Sequence, residues 1–321
     1  MTQELIQLRD VTKTFTVARK AGRVRRRFEQ VHAVDHISFT VAQGTMVGYI
    51  GPNGAGKSTT IKMLTGILVP TSGQVRVAGL EPSRNRVELA RRIGVVFGQR
   101  TQLWWDLPLR DSFDLLRSIY RVPGARHARN MAAFTELLDL APFLDVPVRQ
   151  LSLGQRMRGE LTAALLHDPE IVYLDEPTIG LDVVSKAQVR DFLTGINRER
   201  GTTVLLTTHD LSDIERLCRR ILIIDLGHVI YDGDLPTIRR RFGDERTLVV
   251  DLEEAGPPID VPGAVVDRVE GSRQWLRFHG SELSASELVA RVAERVRLVD
   301  LAVEETDIED VVRRIYLTGR S

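Results

Sequence analysis

The apolar positions of this chain change rhythm along its length, and each rhythm predicts a different element. Leu5-Ile6-Gln7-Leu8 and Lys13-Thr14-Phe15-Thr16-Val17 alternate apolar and polar side chains, which predicts edge strands. Val34, Ile37, Phe39 and Val41 lead into Thr45-Met46-Val47-Gly48-Tyr49-Ile50, an apolar run that reads as a buried strand. Ile61, Leu64 and Leu68 then recur at helical spacing. A turn at Thr71-Ser72-Gly73, a short strand over 74–77, a helical stretch from Val87 to Arg92 and a strand from Ile93 to Phe97 follow. From Leu107 to about Asp168 the pattern is helical, marked by Phe113, Leu115, Leu116 and Ile119, then by Phe134, Leu137 and Leu138. Ile171–Leu174, Val204–Thr208 and Ile221–Ile224 are further strand-like runs. Strands alternating with helices, with polar residues gathered at strand ends, predict a doubly wound sheet whose site lies at its C-terminal edge.

The pattern changes near Arg239-Arg240-Arg241-Phe242-Gly243. Leu248, Val250 and Leu252 alternate, and Gly271-Ser272 reads as a hairpin turn before Trp275-Leu276-Arg277-Phe278. Leu288–Val296 is helical, Leu298–Val303 extended and Ile308–Tyr316 helical. The expected organisation is therefore a domain over 1–240, with a helical insert at about 101–168, and a small α+β domain over 241–321. The second domain carries no catalytic pattern and reads as scaffolding or a dimer contact.

Composition adds exclusions. With 321 residues, 43% hydrophobic and 27% charged, the chain is an ordinary globular one of about two domains. One cysteine, Cys218, excludes an internal disulfide framework and fits a reducing compartment. No run approaches the roughly 20 apolar residues of a membrane span, and the N-terminus lacks a signal pattern. A net charge of +1 gives no general affinity for nucleic acid. The charge is uneven, however: Arg19, Lys20, Arg23, Arg25, Arg26 and Arg27 fall together. That run is expected to be an exposed loop, either simply solvated or in contact with anionic lipid, where each basic residue contributes about 1 kcal/mol.

The candidate chemistry centres on Gly51-Pro52-Asn53-Gly54-Ala55-Gly56-Lys57-Ser58-Thr59, which fits the phosphate-loop pattern G-x-x-x-x-G-K-[ST]. Small residues let backbone N–H groups curl around an oligophosphate, and the strand before and helix behind give the loop its context. Lys57 is placed to reach the β- and γ-phosphates of a nucleoside triphosphate, and the Ser58 hydroxyl to ligate Mg²⁺. Asp175-Glu176, closing an apolar strand, is the matching acidic pair: Asp175 for Mg²⁺ and Glu176 to polarise the attacking water. Gln99 and His209 also fall at strand ends, in reach of metal, water and γ-phosphate. Phe15 is a candidate platform for an adenine ring, an ordinary sheet aromatic being the alternative.

These residues together resemble the ATP-binding subunit of an ATP-binding cassette (ABC) transporter over roughly residues 5–240. Phe15 matches the adenine-stacking aromatic, Gly51–Thr59 the Walker A loop and Gln99 the Q-loop glutamine, which in the family also reaches the metal. Leu151-Ser152-Leu153-Gly154-Gln155 matches the LSGGQ signature, Ile171–Glu176 Walker B, Gly180-Leu181-Asp182 the D-loop and His209 the switch histidine. Leu153 stands where the signature has its first glycine, while Ser152 and Gly154, expected to face the γ-phosphate, are kept. The resemblance implies an α/β P-loop ATPase of ABC type, with a mixed-sheet core, a helical subdomain and a small α+β C-terminal module. It implies ATP and Mg²⁺ as ligands, a head-to-tail pair of copies, and integral membrane permeases as partners at the cytoplasmic face of the cell membrane. Trp104 and Trp105, just past Gln99, are expected to meet a permease or to pack in the core. The Trp pair, Leu153 and the tail at Ile308–Arg314 resemble cassettes of ABC-2-type exporters; an importer cassette and an ATPase acting on ribosomes or DNA are the alternatives.

Overall fold

The computed structural model describes residues 3–20, 26–98, 100–208, 210–242, 245–305 and 308–318. The middle of the basic run, 21–25, therefore lies outside the described residues, as do Gln99 and His209. The chain divides into two compact units, 1–232 and 233–321.

The first unit contains two sheets. In the smaller one, β1 (Glu4–Lys20) lies between β2 (Arg26–Ala42) and β4 (Ser72–Val77), all antiparallel. Leu5–Leu8 is thus central rather than an edge, because Ile6 pairs with Val41 on one side and with Val77 on the other. Pairing with β4 stops at Thr12, so Lys13–Lys20 and the β2 residues opposite form a two-stranded ribbon. Bulges in β1 between Leu8 and Thr14 accompany that change.

The larger sheet has the order β5 (Ile93–Phe97), β6 (Ile171–Asp175), β7 (Thr203–Thr207), β3 (Met46–Ile50), β8 (Arg220–Asp225), β9 (His228–Asp234). The first five are parallel, which brings their C-terminal ends to one edge. Every residue of β3 and β7 is buried, as continuous apolar runs require. The helices α1 (Lys57–Leu64), α2 (Arg86–Ala90), α6 (Val183–Arg200) and α7 (Leu211–Leu217) connect these strands. Helix α1 ends at Leu64, so Leu68 belongs to the turn beyond it, although the helical spacing runs through. Cys218, after α7, is buried, and burial pushes its thiol up to about 12.

Between β5 and β6 run α3 (Leu109–Tyr120), α4 (Gly124–Leu137) and α5 (Leu153–Leu165). Their buried stripe is narrower than the apolar pattern: Phe113, Leu116, Phe134 and Leu138 are buried, whereas Leu115, Ile119 and Leu137 are exposed.

The second unit begins with α8 (Leu235–Phe242), so a boundary at residue 240 falls inside a helix. It contains an antiparallel sheet ordered β11 (Ala264–Glu270), β12 (Arg273–His279), β10 (Glu245–Leu252), β13 (Leu298–Glu305), with α9 (Ala285–Ala293) and α10 (Ile308–Thr318). Leu248, Val250, Leu276 and Phe278 pack with Leu288 and Val292 of α9, which Ser284 and Glu287 cap reciprocally.

Candidate functional site

The phosphate loop is shaped by the strand before it and the helix after it. Tyr49 of β3 shares a buried hydrogen bond of 3.1 Å with Thr60 of α1, and Thr60 donates back to the Gly56 carbonyl at 3.1 Å. Two glycines are obligatory there. A Cβ on Gly51 would stand 2.3 Å from the Ile224 carbonyl oxygen, and one on Gly56, whose φ is 110°, would stand 2.4 Å from the Ala33 carbonyl oxygen. Gly56 is the N-cap of α1 and supplies no side chain to its first-turn N–H groups. Those donors, at the positive end of a helix, are the chemistry that binds an oligophosphate.

The sheet register delivers the acidic pair to the same place. Phe97, Asp175 and Thr207 pair across β5, β6 and β7 at the C-terminal edge. Thr207 donates its hydroxyl to one oxygen of Asp175 at 2.5 Å, and Ser58 donates to the other at 3.3 Å. Glu176 follows in a left-handed conformation, φ 57°, with its N–H held by the Thr207 carbonyl at 2.9 Å. A non-glycine residue held at positive φ is the kind of local strain that gathers at functional sites.

A cavity of about 570 Å³ joins these parts, lined by Asn53, Gly54, Gly56, Lys57, Ser58 and Thr59 from the loop and by Asp175 and Glu176 from the strand end. Ala33, Lys62, Ile67, Phe97, Gly98, Arg100 and Ile179 complete the lining. Ala55 is buried beneath the loop, its carbonyl accepting from Gly227 at 3.0 Å. The Lys57 ammonium donates to the carbonyls of Gly51 at 2.5 Å and Pro52 at 3.1 Å. Burial lowers its pKa, and the nearby carboxylates of Glu176 and Asp175 oppose that shift. The oxygens of Ser58 and Asp175 are a hard donor set, in number and type what Mg²⁺ takes from a protein when phosphates and water fill the other positions. Among the described residues no cluster of three or more His, Cys, Asp or Glu could hold a metal alone.

The remaining predicted residues lie elsewhere. Ser152 caps α5, accepting from the Gln155 N–H at 3.2 Å while Gln155 accepts from the Ser152 N–H at 2.9 Å. Neither residue, nor Gly154, lines the cavity. Asp182 caps α6 in the same way, taking bonds from the Ser185 N–H and hydroxyl at 2.9 and 2.7 Å, and these bonds hold its carboxyl below the usual range. The two helix starts touch: the Leu153 side chain, 39% exposed, reaches to within 2.8 Å of where a Cβ on Gly180 would stand. Phe15, 36% exposed, lies on the two-stranded ribbon with the Lys13 ammonium 5.3 Å from its ring centre. Trp104 and Trp105 are 37% and 48% exposed, so neither is a core residue, and Arg156 lies 5.8 Å from the Trp105 ring centre. Sequence reasoning missed Arg100, Lys62 and Thr207. The first two are cations one helical turn or one loop residue from recognised motifs, and Thr207 closes an apolar run that marks its strand end.

Comparison with known proteins gives a consistent picture. A family model described as ABC transporter matches residues 34–179. The Streptomyces coeruleorubidus daunorubicin resistance ATP-binding protein DrrA3 is 39% identical over 232 residues, 72% of each chain. Nod factor export ATP-binding protein I of Paraburkholderia xenovorans is 34% identical over 302 residues, covering 93% of this chain and 96% of that one. Among solved structures, the dimeric post-hydrolysis state of the cassette MJ0796 bound to ADP and Pi superposes with a TM-score of 0.61 at 28% identity, over 72% of this chain and 98% of that one.

Proposed function

This chain belongs to the ABC transporter family, and from that premise we propose that it powers export through separate membrane permeases by closing and reopening against a second copy of itself. That it is an ATP-binding subunit and an ATPase follows from the family. The observation that carries the rest is the single cavity in which the phosphate loop meets Asp175 and Glu176.

The roles follow from that arrangement. Backbone N–H groups from Gly51 through Asn53, Gly54, Ala55 and Gly56 to Thr59, with the uncapped start of α1, wrap the phosphates. Lys57 exchanges the Gly51 and Pro52 carbonyls for β- and γ-phosphate oxygens, a favourable trade for a partly buried cation. Ser58 and Asp175 hold Mg²⁺, which when bound neutralises charge on the phosphoryl oxygens. Thr207 fixes the Asp175 carboxylate, leaving its Ser58-facing oxygen directed at the loop. Glu176 takes the proton of the attacking water, and Gln99 and His209, both outside the described residues, complete the γ-phosphate surroundings. Phe15 offers its exposed ring to the adenine.

Ser152, Gly154, Gln155 and Asp182 do not line the cavity of their own chain, which supports their facing the nucleotide of a second copy. The start of α5 offers N–H groups and a helix dipole suited to a γ-phosphate. Export is supported by the names of the daunorubicin resistance and Nod factor relatives. Among the described residues no helix is long and apolar enough to cross a membrane; the transporter names of the relatives support separate permeases, worked from their cytoplasmic side. The exposed Trp104 and Trp105 belong to that contact. The charge of the basic run at 19–27 suits it to anionic lipid of the same membrane. The second unit serves as an accessory domain.

Glu176→Gln tests the reading. Hydrolysis should fall by about 10²–10⁴-fold, while the protein binds ATP and elutes as a dimer on size-exclusion chromatography. A variant that hydrolyses ATP at the unmodified rate, or stays monomeric alone and beside its permease, sinks the proposal. Co-purification with ribosomes or DNA instead of a multi-span protein would redirect it.

A further inference from the structure

The roles above leave one buried carboxylate of α5 without a task. Glu160, 5% exposed, lies two turns beyond Ser152 on the signature helix. Burial raises its pKa, and hydrogen bonds from Thr101 and Gln102 oppose the shift. The Thr101 hydroxyl donates to one carboxylate oxygen, and the Gln102 N–H donates to the other at 3.3 Å. Gln102 also returns the contact: its side-chain amide donates to the Glu160 carbonyl at 3.3 Å and to the Val95 carbonyl of β5 at 3.4 Å. Buried Leu103 closes over the same turn of helix, its side chain 3.2 Å from where a Cβ on Gly159 would stand.

We propose that Glu160 is a positioning residue that yokes the loop after β5 to the signature helix, so that nucleotide-driven movement of the loop turns α5 with it. The inference rests on the functional reading above. A carboxylate suits the task because its two oxygens take donors from two consecutive loop residues, fixing the path of the loop as well as its distance. An apolar side chain would pack there without setting a register. Screened from water, such bonds are strong when complete and costly when one is missing, so loop and helix shift together or not at all. The yoke joins β5, whose end lines the nucleotide cavity, to a helix whose start does not.

Thr101→Val removes one donor while keeping the side-chain shape. Its ATP affinity, measured with a fluorescent ATP analogue on the full chain, should stay within about twofold of the parent, while kcat falls about tenfold. Thr101→Ser, which restores the hydroxyl, should recover kcat. In the Glu176→Gln background, Thr101→Val should raise the ATP concentration needed for dimer formation. Unchanged kcat in Thr101→Val and Glu160→Gln overturns the proposal. So does parallel loss of affinity and kcat without recovery in Thr101→Ser, which would mark a merely structural contact. If Glu176→Gln alone forms no dimer, the parent reading has failed; if it does and Thr101→Val leaves it unaltered, only the yoke has.

Discussion

The phosphate loop and the signature are both short glycine-containing turns that open a helix, yet they are held in opposite ways. At the loop the backbone is wedged: carbonyl oxygens of Ile224 and Ala33 occupy the space where side chains would begin at Gly51 and Gly56, and the first turn of α1 has no side-chain cap. At the signature a Cβ on Gly154 would meet a side chain instead, the Ser185 hydroxyl at 2.8 Å, and side chains do the holding. Ser152 and Gln155 cap α5 reciprocally, and Asp182 caps the neighbouring α6. The first arrangement leaves the N–H groups of the first turn of α1 without a side-chain cap, open to a ligand. The second satisfies itself, and under the proposed function it would have to exchange partners when a phosphate arrives.

Replacing Gly51 with alanine should break the wedged half most severely. The new Cβ meets backbone rather than a yielding side chain, so we expect loss of about 3 kcal/mol or more in urea unfolding and no measurable ATP binding by calorimetry. Normal binding by Gly51→Ala would remove the contrast. A smaller effect should expose how far polar pairs hold the other half. Lys186 of α6 donates to Asp210 at 2.6 Å. Burial alone would raise the Asp210 carboxyl, but bonds from Lys186 and Ser212 outweigh it and bring it to about 2. A carboxyl depressed in the folded state adds stability above its unfolded pKa of about 3.9, and that stability is lost as pH falls toward 2. The parent should therefore lose about 1–2 kcal/mol more than Lys186→Met between pH 5 and pH 2.5, followed by urea midpoints; equal losses would deny the pair its part. The smallest change is Ser152→Ala, expected to cost about 1 kcal/mol through the lost cap while ATP binding by the monomer stays normal. A large drop in monomer affinity would mean that the signature already takes part in its own chain's site.

How much of this was legible depended on the range of the interaction. The strands ending at Ile50, Phe97 and Asp175 were readable because a buried strand must be apolar along its run, and the phosphate loop because its steric demands fix residue types at fixed spacing. Leu5–Leu8 shows the limit. Alternation reports that a strand has a buried face, but not that β4, more than sixty residues on, pairs with its second edge. The spacing of Leu68 continues past a helix that stops at Leu64, because periodicity does not register a turn. Thr207 on Asp175 and Thr101 on Glu160 left no trace in the sequence, since a hydrogen bond between distant residues imposes no spacing. The proposed pairing of two copies has the same character, since contacts between separate chains impose no spacing on either.

Cys218 has a practical consequence. A thiol sealed from solvent and protonated far above neutrality is inert toward maleimides and other alkylating dyes. A cysteine introduced at exposed Val183, just after Asp182, would then be labelled alone, and fluorescence from that single tag would test the proposed meeting of two copies without first stripping the native protein of its sulfur.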